Sequence, residues 1–308
     1  MTGENALSFK GVGMLLRVVA VVTSSVATVI STWLPLLIHH EFSMWRLLFL
    51  LALLILGAFL IHGALTHVFN DITDFESGTD QHSPALLSGG SRVIQSGVMS
   101  VGQLRKIALT LTVSLAALSL LLAILGQTEL AILIVVGIWG AASYSLRPFR
   151  FAYVPLAGEW LSLFPSMLLL GLAAPWLMLE TIPAWGWQNA FINALWCMSW
   201  VMVHHIPDME ADRKAIPVKR TSVVWSADKF GMRGARYPAI LYLGLIGLFA
   251  LPMMLARPVA GIMVIALVAY GIYMILKMDS ADPEAVTSVE KKLLLLAMAT
   301  AVGLGIFV

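Results

Sequence analysis

Charged side chains are scarce in this chain of 308 residues, because Asp, Glu, Lys and Arg together make up only 12% of it. Hydrophobic residues make up 59%, and the mean hydropathy is +0.89. A water-soluble domain usually carries about twice this share of charged residues. The composition therefore excludes an ordinary soluble domain and predicts a polytopic membrane protein.

Cysteine is almost absent as well. The single Cys197 cannot form an internal disulfide, and it gives no reason to expect a thiolate metal site. Linkers, low-complexity tracts and long blocks of charge are also missing, so we expect residues 1–308 to form one domain. The formal net charge of +2 says little about partners, because the basic residues serve the topology first. We expect no nucleic-acid partner.

What the chain does have is a series of long apolar runs. A helix needs about 20 mainly apolar residues to cross a bilayer. About nine runs meet that length, near residues 12–38, 45–69, 104–126, 129–146, 156–179, 188–207, 237–255, 258–277 and 289–308. The predicted fold is therefore all-α, with about nine transmembrane helices in one bundle around a central cavity.

The distribution of Lys and Arg predicts the orientation of this bundle. If the amino terminus is cytoplasmic, all 19 basic residues except Arg46 and Arg257 fall in segments on the cytoplasmic side. Cytoplasmic loops of membrane proteins carry this excess of positive charge. We therefore expect an integral, multi-pass protein of a bacterial-type inner membrane, with its amino terminus in the cytoplasm.

Acidic residues cluster where the second apolar run ends. Asn70, Asp71 and Asp74 share one helical face, and Asp80 follows just past Gly78. Such a cluster repels itself unless a cation lies in it. Ionisable residues at the end of a membrane segment are costly and usually mark a functional site.

A second acidic segment follows the sixth run. His204, Asp208 and Asp212 step by four along one helical face. Four helices separate the second run from the sixth, so the carboxyl ends of these two runs emerge on the same side of the membrane. We therefore expect the two acidic segments to converge on one cavity that faces the cytoplasm.

Two opposed acidic segments suit a magnesium-bound diphosphate. Mg²⁺ binds through one or two carboxylates and leaves its other positions to water and substrate phosphates. Metal ions and basic side chains neutralise the charge that builds on a departing diphosphate. The predicted metal ligands are Asn70, Asp71, Asp74, Asp80, Asp208 and Asp212, and the basic candidates nearest in sequence are Arg92, Arg147, Lys219 and Arg220.

These residues also carry a family resemblance. The segment from Asn70 to Asp80 resembles the first aspartate-rich motif of the UbiA superfamily of intramembrane prenyltransferases, in the form typical of the menaquinone-pathway branch. The segment from Asp208 to Lys214, with Lys219-Arg220-Thr221 after it, is similar to the second motif. Tyr144-Ser145-Leu146-Arg147-Pro148 and Gly158-Glu159 resemble two further motifs that lie between these.

The resemblance implies an enzyme that uses Mg²⁺ to transfer a prenyl group from an isoprenyl diphosphate to a small aromatic acceptor. The implied route passes through an allylic carbocation, and the implied acceptor is a quinone precursor such as a dihydroxynaphthoate. The residues that it places in catalysis are Asp71, Asp74, Asp208, Asp212 and Tyr144. The candidates for substrate binding are Asn70, Arg92, Arg147, Lys219, Arg220, His204 and Glu159. His204 is named for its place on the acidic helical face, and Arg220 for its nearness in sequence, rather than by the resemblance.

Two departures from the family pattern leave alternatives open. His204-His205 stands where related enzymes commonly have an Asn pair, and the segment from Ala215 to Lys219 is longer than the usual turn. A terpene cyclase would use the same ionisation step but close the cation on its own chain. A transporter is the more distant alternative, because transporters place ionisable groups near the middle of the membrane, whereas these acids lie at one end.

Overall fold

The computed structural model describes residues 22–83 and 90–308, and all the regular elements in these two ranges are helices. The long helices there are α1 (Ala27–His39), α2 (Met44–Ser77), α3 (Val101–Ile124), α4 (Thr128–Ser145), α5 (Gly158–Met178), α6 (Ala184–His204), α7 (Tyr237–Ala256), α8 (Pro258–Lys277) and α9 (Pro283–Ile306). Short helices at Thr79–His82, Met209–Lys214 and Ser222–Phe230 lie in the connections. Residues 12–21 of the first predicted run, together with Lys10, lie outside the described residues.

Six helices in the described ranges are long and apolar enough to cross a membrane. They are Met44–Ser77, Val101–Ile124, Thr128–Ser145, Gly158–Met178, Met232–Ala256 and Pro258–Lys277. The segment Ser24–His39 is apolar but shorter. Helices α6 and α9 occupy two of the other predicted runs but carry more polar residues, such as Asn189 and Asn193 in α6 and Glu290 in α9. The predicted count of about nine spans, and the side of the membrane on which the motifs lie, stay predictions.

Helix α6 lies at the centre of the bundle and packs against α1, α5, α7 and α9. Its apolar residues from Ile192 to Val203 join the largest buried cluster, which α7, α8 and α9 complete. The polar side chains of α6 are buried with their partners. Asn189, for example, donates to the carbonyl oxygens of Ser31 in α1 and Leu304 in α9, at 2.7 and 3.1 Å. Hydrogen bonds therefore join helices that apolar packing alone would leave free to slide.

The close contact between α5 and α6 depends on Gly171. A Cβ added at Gly171 would lie 2.8 Å from Cβ and 2.9 Å from Cα of Ala190. We expect Gly171→Ala to lower the free energy of unfolding by about 1–3 kcal/mol, the usual effect of overpacking, as measured by thermal unfolding in detergent micelles. Gly244→Ala is the matched control, because a Cβ at that helical position meets nothing within 4 Å. An equal response of both variants would contradict this account of the contact.

The carboxyl ends of α2, α4 and α6 meet at one end of the bundle. The Thr73 hydroxyl in α2 donates to the carbonyl oxygen of Ser145 at the end of α4, at 3.4 Å. The Tyr144 hydroxyl in α4 lies 3.2 Å from Nε2 of His205, which directly follows α6. The expectation that the ends of the second and sixth runs converge therefore agrees with the structure.

Candidate functional site

The first acidic segment is shaped by the way α2 ends. Gly78 leaves the helix with φ of +80°, a backbone conformation that is open to glycine at little cost. The short helix Thr79–His82 then turns back along the end of α2 and carries Asp80 toward the acids of that helix. Asp71, Asp74 and Asp80 are all buried. Three acids that are separated in sequence by a helix end thus lie close together in space.

The segment that returns toward α3 covers two of these carboxylates. The backbone N–H of Ser91 donates to Asp71 Oδ1 at 3.1 Å, and the Ser91 hydroxyl donates to Asp71 Oδ2. Gln95 Nε2 donates to Asp80 Oδ2 at 2.6 Å. Gly90 lies against the carboxylate of Asp80, since a Cβ at Gly90 would be 3.0 Å from Asp80 Oδ1. The centre of the polar loop, including Ser88 and Gly89, lies outside the described residues.

Helix α6 ends at His204, so the single helical face predicted for His204, Asp208 and Asp212 is interrupted by a turn. The short helix Met209–Lys214 carries Asp212 and packs against Thr79–His82. Asp212 is buried in this helix, and Asp208 Oδ1 accepts a hydrogen bond from the Ser83 hydroxyl. The backbone N–H of Ile216 donates to the carbonyl oxygen of Ser77 at 2.9 Å. Direct contacts of the main chain and of side chains therefore join the two motifs.

Lys219 lies between the two motifs. Its ammonium donates to both carboxylate oxygens of Asp74, at 2.8 and 3.0 Å, and lies 3.7 Å from Asp212 Oδ1. The Lys219 backbone N–H also donates to the carbonyl oxygen of Asp212 at 2.9 Å. Asn70 Nδ2 completes the set by donating to Asp74 Oδ2 at 2.8 Å. These contacts fix the carboxylate of Asp74 from both sides.

The pocket that these residues line is strongly acidic. Asp74, Asp80, Asp208 and Asp212 line it together with Asn70, His204, His205 and Lys219. Burial disfavours the charge on Lys219, but the carboxylates of Asp74 and Asp212 outweigh it and hold the pKa of the ammonium well above its ordinary value. Burial raises the pKa of the Asp208 carboxyl, and the hydrogen bond from Ser83 opposes it. One lysine does not neutralise four aspartates, so the pocket suits a further cation.

A second cavity of about 160 Å³ adjoins the acidic pocket. The two share Asn70, His204 and His205. The cavity runs between α2, α4, α5 and α6, and apolar groups such as Met167 and Trp200 alternate in its wall with Ser and Thr hydroxyls. Tyr144 lines it near the shared end. A ligand with a charged head and an apolar body would fit the two spaces together.

Several predicted site residues lie apart from the acidic pocket. Arg147 lines a groove on the other face of α2, beside Thr73, and Arg220 is exposed to solvent. Glu159 is buried at the start of α5. The guanidinium of Arg92 contacts Ser83, a residue that lines the pocket, by donating to its carbonyl oxygen at 2.5 Å. The functional roles assigned to these four residues stay predictions.

The chemical nature of these side chains agrees with Mg²⁺, although they do not form a complete coordination site by themselves. Within residues 22–83 and 90–308, no three His, Cys, Asp or Glu side chains converge closely enough to hold a metal ion on their own. Mg²⁺ does not need such a cage, because it takes one or two carboxylates and completes its coordination with water and phosphate oxygens. Carboxylate and amide oxygens that face one pocket from two motifs provide ligands of this kind.

Sequence reasoning missed three residues that contact the site. Ser91 and Gln95 hold Asp71 and Asp80, and Glu290 in α9 lies 2.7 Å from Nδ1 of His204. Ser91 and Gln95 flank Arg92 in a polar loop, but no spacing rule connects a loop to a carboxylate twenty residues away. The sequence gives one weak indication of Glu290, because it is an acidic residue at the start of the last apolar run.

Comparison with known proteins gives one match. The model of the UbiA prenyltransferase family matches residues 14–298, which is nearly the whole chain. No curated protein matches significantly. No solved structure matches significantly either. The family match covers both acidic motifs and the helices that carry them, but it does not support placement in the menaquinone-pathway branch.

Proposed function

The chain belongs to the UbiA prenyltransferase family, and we propose that it transfers a prenyl group from an isoprenyl diphosphate to a small aromatic acceptor with the help of Mg²⁺. Membership of this family implies an intramembrane prenyltransferase, and enzymes of the family generally use a divalent metal with diphosphate substrates. The six apolar helices and the family match together indicate an integral, multi-pass membrane protein. The acceptor and the choice of Mg²⁺ belong to the proposal.

One observation carries the proposal: both acidic motifs line one pocket, and that pocket adjoins a partly apolar cavity. The acids and Lys219 suit a diphosphate with its metal ion, and the cavity suits the first part of the prenyl chain and an aromatic ring. The form of the first motif supports a quinone precursor such as a dihydroxynaphthoate as the acceptor.

The residues of the pocket would act mainly by electrostatic stabilisation of the diphosphate. Asp74, Asp80, Asp208 and Asp212, with Asn70, would hold Mg²⁺, which supplies positive charge to the diphosphate oxygens. Asp71 is also a predicted ligand, but its carboxylate accepts hydrogen bonds from Ser91, and its role as a metal ligand stays a prediction. Lys219 is already ionised between Asp74 and Asp212 and would donate to an oxygen of the leaving group. Such preorganised charge favours ionisation of the carbon–oxygen bond, because negative charge builds on the diphosphate as it departs. Tyr144 presents its ring to the cavity where the allylic cation would form.

Purified protein in detergent would test the proposal with farnesyl diphosphate, MgCl₂ and either 1,4-dihydroxy-2-naphthoate or 4-hydroxybenzoate. We expect a prenylated acceptor and an equal amount of diphosphate, and we expect EDTA to stop both. A cyclic hydrocarbon or alcohol formed without acceptor would favour a terpene cyclase instead. Failure of the wild type to prenylate either acceptor would contradict the proposed function.

Asp208→Asn tests the acidic pocket within the same assay. The substitution keeps the size of the side chain but removes a charge from the predicted metal site, so we expect diphosphate release to fall about 100-fold. Glu210→Gln is the control, because Glu210 lies two residues away and its exposed side chain pairs with Arg213 at the surface. Undiminished turnover of the Asp208 variant would refute the metal-site assignment.

A further inference from the structure

A buried carboxyl group outside both aspartate-rich motifs touches the site through His204. Glu290 lies in α9 with 0% of its surface exposed. Its Oε1 is 2.7 Å from Nδ1 of His204, the last residue of α6. Its Oε2 has no hydrogen-bond partner among the residues that the structure describes. A buried acid is costly to keep unless its charge is used.

The ring of His204 is fixed on two sides. Trp200, one helical turn earlier, stacks on it with ring centroids 5.0 Å apart, and Glu290 holds Nδ1. An ionised Glu290 accepts a hydrogen bond from the Nδ1–H group of His204, and in this tautomer the lone pair lies on Nε2. In the described part of the chain, Nε2 has no protein hydrogen-bond partner, and His204 lines both the acidic pocket and the adjoining cavity. The neighbouring His205 differs, because its Nε2 already faces the Tyr144 hydroxyl at 3.2 Å.

We propose that Nε2 of His204 takes the hydroxyl proton of a phenolic acceptor during prenyl transfer, and that Glu290 is the positioning residue that holds the imidazole and stabilises its charged form. The inference rests on the proposed function and adds a base to it. Its basis is the place of His204, where a diphosphate in the acidic pocket and an acceptor in the cavity would meet. A carboxylate behind a histidine is a common way to fix the tautomer and favour the imidazolium.

The step balances as follows for an acceptor whose reacting ring carbon bears hydrogen. The carbon–oxygen bond of the donor breaks, and its electron pair leaves with the diphosphate. The hydroxyl proton goes to Nε2 of His204, the O–H electron pair forms a carbon–oxygen double bond, and a ring π pair forms the new carbon–carbon bond. The ring carbon then loses its proton, the oxygen regains one, and His204 returns its proton to the solvent. One proton is released in total.

Glu290→Gln separates this role from a structural one. Gln keeps the size of the side chain and an oxygen that accepts from Nδ1, but it cannot stabilise the imidazolium. With farnesyl diphosphate and whichever of 4-hydroxybenzoate and 1,4-dihydroxy-2-naphthoate the wild type prenylates, we expect kcat for prenyl transfer to fall about 100-fold, within the usual range for a general base. The KM for the acceptor should stay within about threefold, because His204 keeps its place.

The ratio of prenylated acceptor to released diphosphate is the second readout. Ionisation of the donor depends on the acidic pocket, so transfer should fall more than diphosphate release, and the ratio should drop at least tenfold. His204→Gly should show the same drop, and added imidazole should partly restore transfer. Glu284→Gln, an exposed acid at the start of α9, is the matched control and should behave as the wild type.

The outcomes are distinguishable. A wild type that prenylates neither acceptor contradicts the proposed function itself. A wild type that does so, with a Glu290→Gln variant of unchanged kcat and ratio, overturns the proton-transfer role alone. Equal losses of transfer and diphosphate release, without rescue by imidazole in His204→Gly, would assign the pair to structure and also overturn the inference.

Discussion

Lys219→Met should abolish turnover and destabilise the protein at the same time. The ammonium of Lys219 is buried between Asp74 and Asp212. Its removal leaves two buried acids without their cation, and breaking a buried ion pair in this way costs about 3–5 kcal/mol. Because the same ammonium would neutralise the leaving diphosphate, we expect diphosphate release to fall about 1,000-fold. Thermal unfolding in detergent and the diphosphate assay measure the two effects.

Lys214→Met is the matched control for this variant. Lys214 is five residues earlier in the same segment, but it is exposed to solvent, so its loss should change stability by less than about 1 kcal/mol. A Lys219→Met protein that keeps full activity would show that the leaving group does not depend on this lysine. A protein that loses activity but no stability would show that the buried ion pair contributes little to the fold.

The sequence predicts most helix positions because apolar runs and their boundaries are local features. The run 258–277 coincides with α8, where Pro258 begins the helix and Lys277 ends it. Helices α6 and α9 show where this reasoning is incomplete. Both lie in predicted runs, yet α6 buries two polar side chains. Asn189 donates to carbonyl oxygens of α1 and α9, and Asn193 donates to the carbonyl oxygen of Asn189 within α6. Polarity along a sequence therefore does not tell whether a helix faces lipid or the centre of a bundle.

Helical spacing predicts that Asp71 lies with Asp74 and Asp208 with Asp212. In the structure Asp74, Asp208 and Asp212 line one pocket, whereas the Asp71 carboxylate is held by Ser91. Helix parity then brings the two pairs to one end. Lys219 was named only as one of several basic candidates, since four residues with equal charge followed helix ends. Its contact with Asp74 depends on the path of the segment from Ala215, and that path is set by tertiary contacts such as the one between Ile216 and Ser77.

Glu290 marks the limit of motif reasoning. His204 and Glu290 are 86 positions apart, and no periodicity relates α6 to α9. Only the packing of α9 beside α6 brings the carboxyl to the imidazole. A buried acid thus lies behind the ring of His204 in this chain.

Asp80→Asn should stabilise the metal-free protein while it impairs catalysis. Burial and the nearby Asp74 raise the pKa of the Asp80 carboxyl from 3.8 to about 7, and the hydrogen bond from Gln95 only partly opposes them. The unfolded chain releases this proton near pH 4, whereas the folded chain keeps it to about pH 7. The wild type therefore loses stability as the pH rises between these values, and Asn removes that loss while its oxygen still accepts from Gln95.

We expect the stability difference in EDTA to be absent near pH 4 and to reach on the order of 3 kcal/mol at pH 8. Added Mg²⁺ should raise the unfolding midpoint of the wild type more than that of the variant, because the variant has lost a charged ligand. Turnover should fall about 100-fold. Asp228→Asn controls for charge, since its exposed pair with Arg213 contributes little. If Asp80→Asn were less stable than the wild type at pH 8 in EDTA, the fold would require the charge of Asp80. That result would contradict the view that Mg²⁺ relieves repulsion among the buried carboxylates.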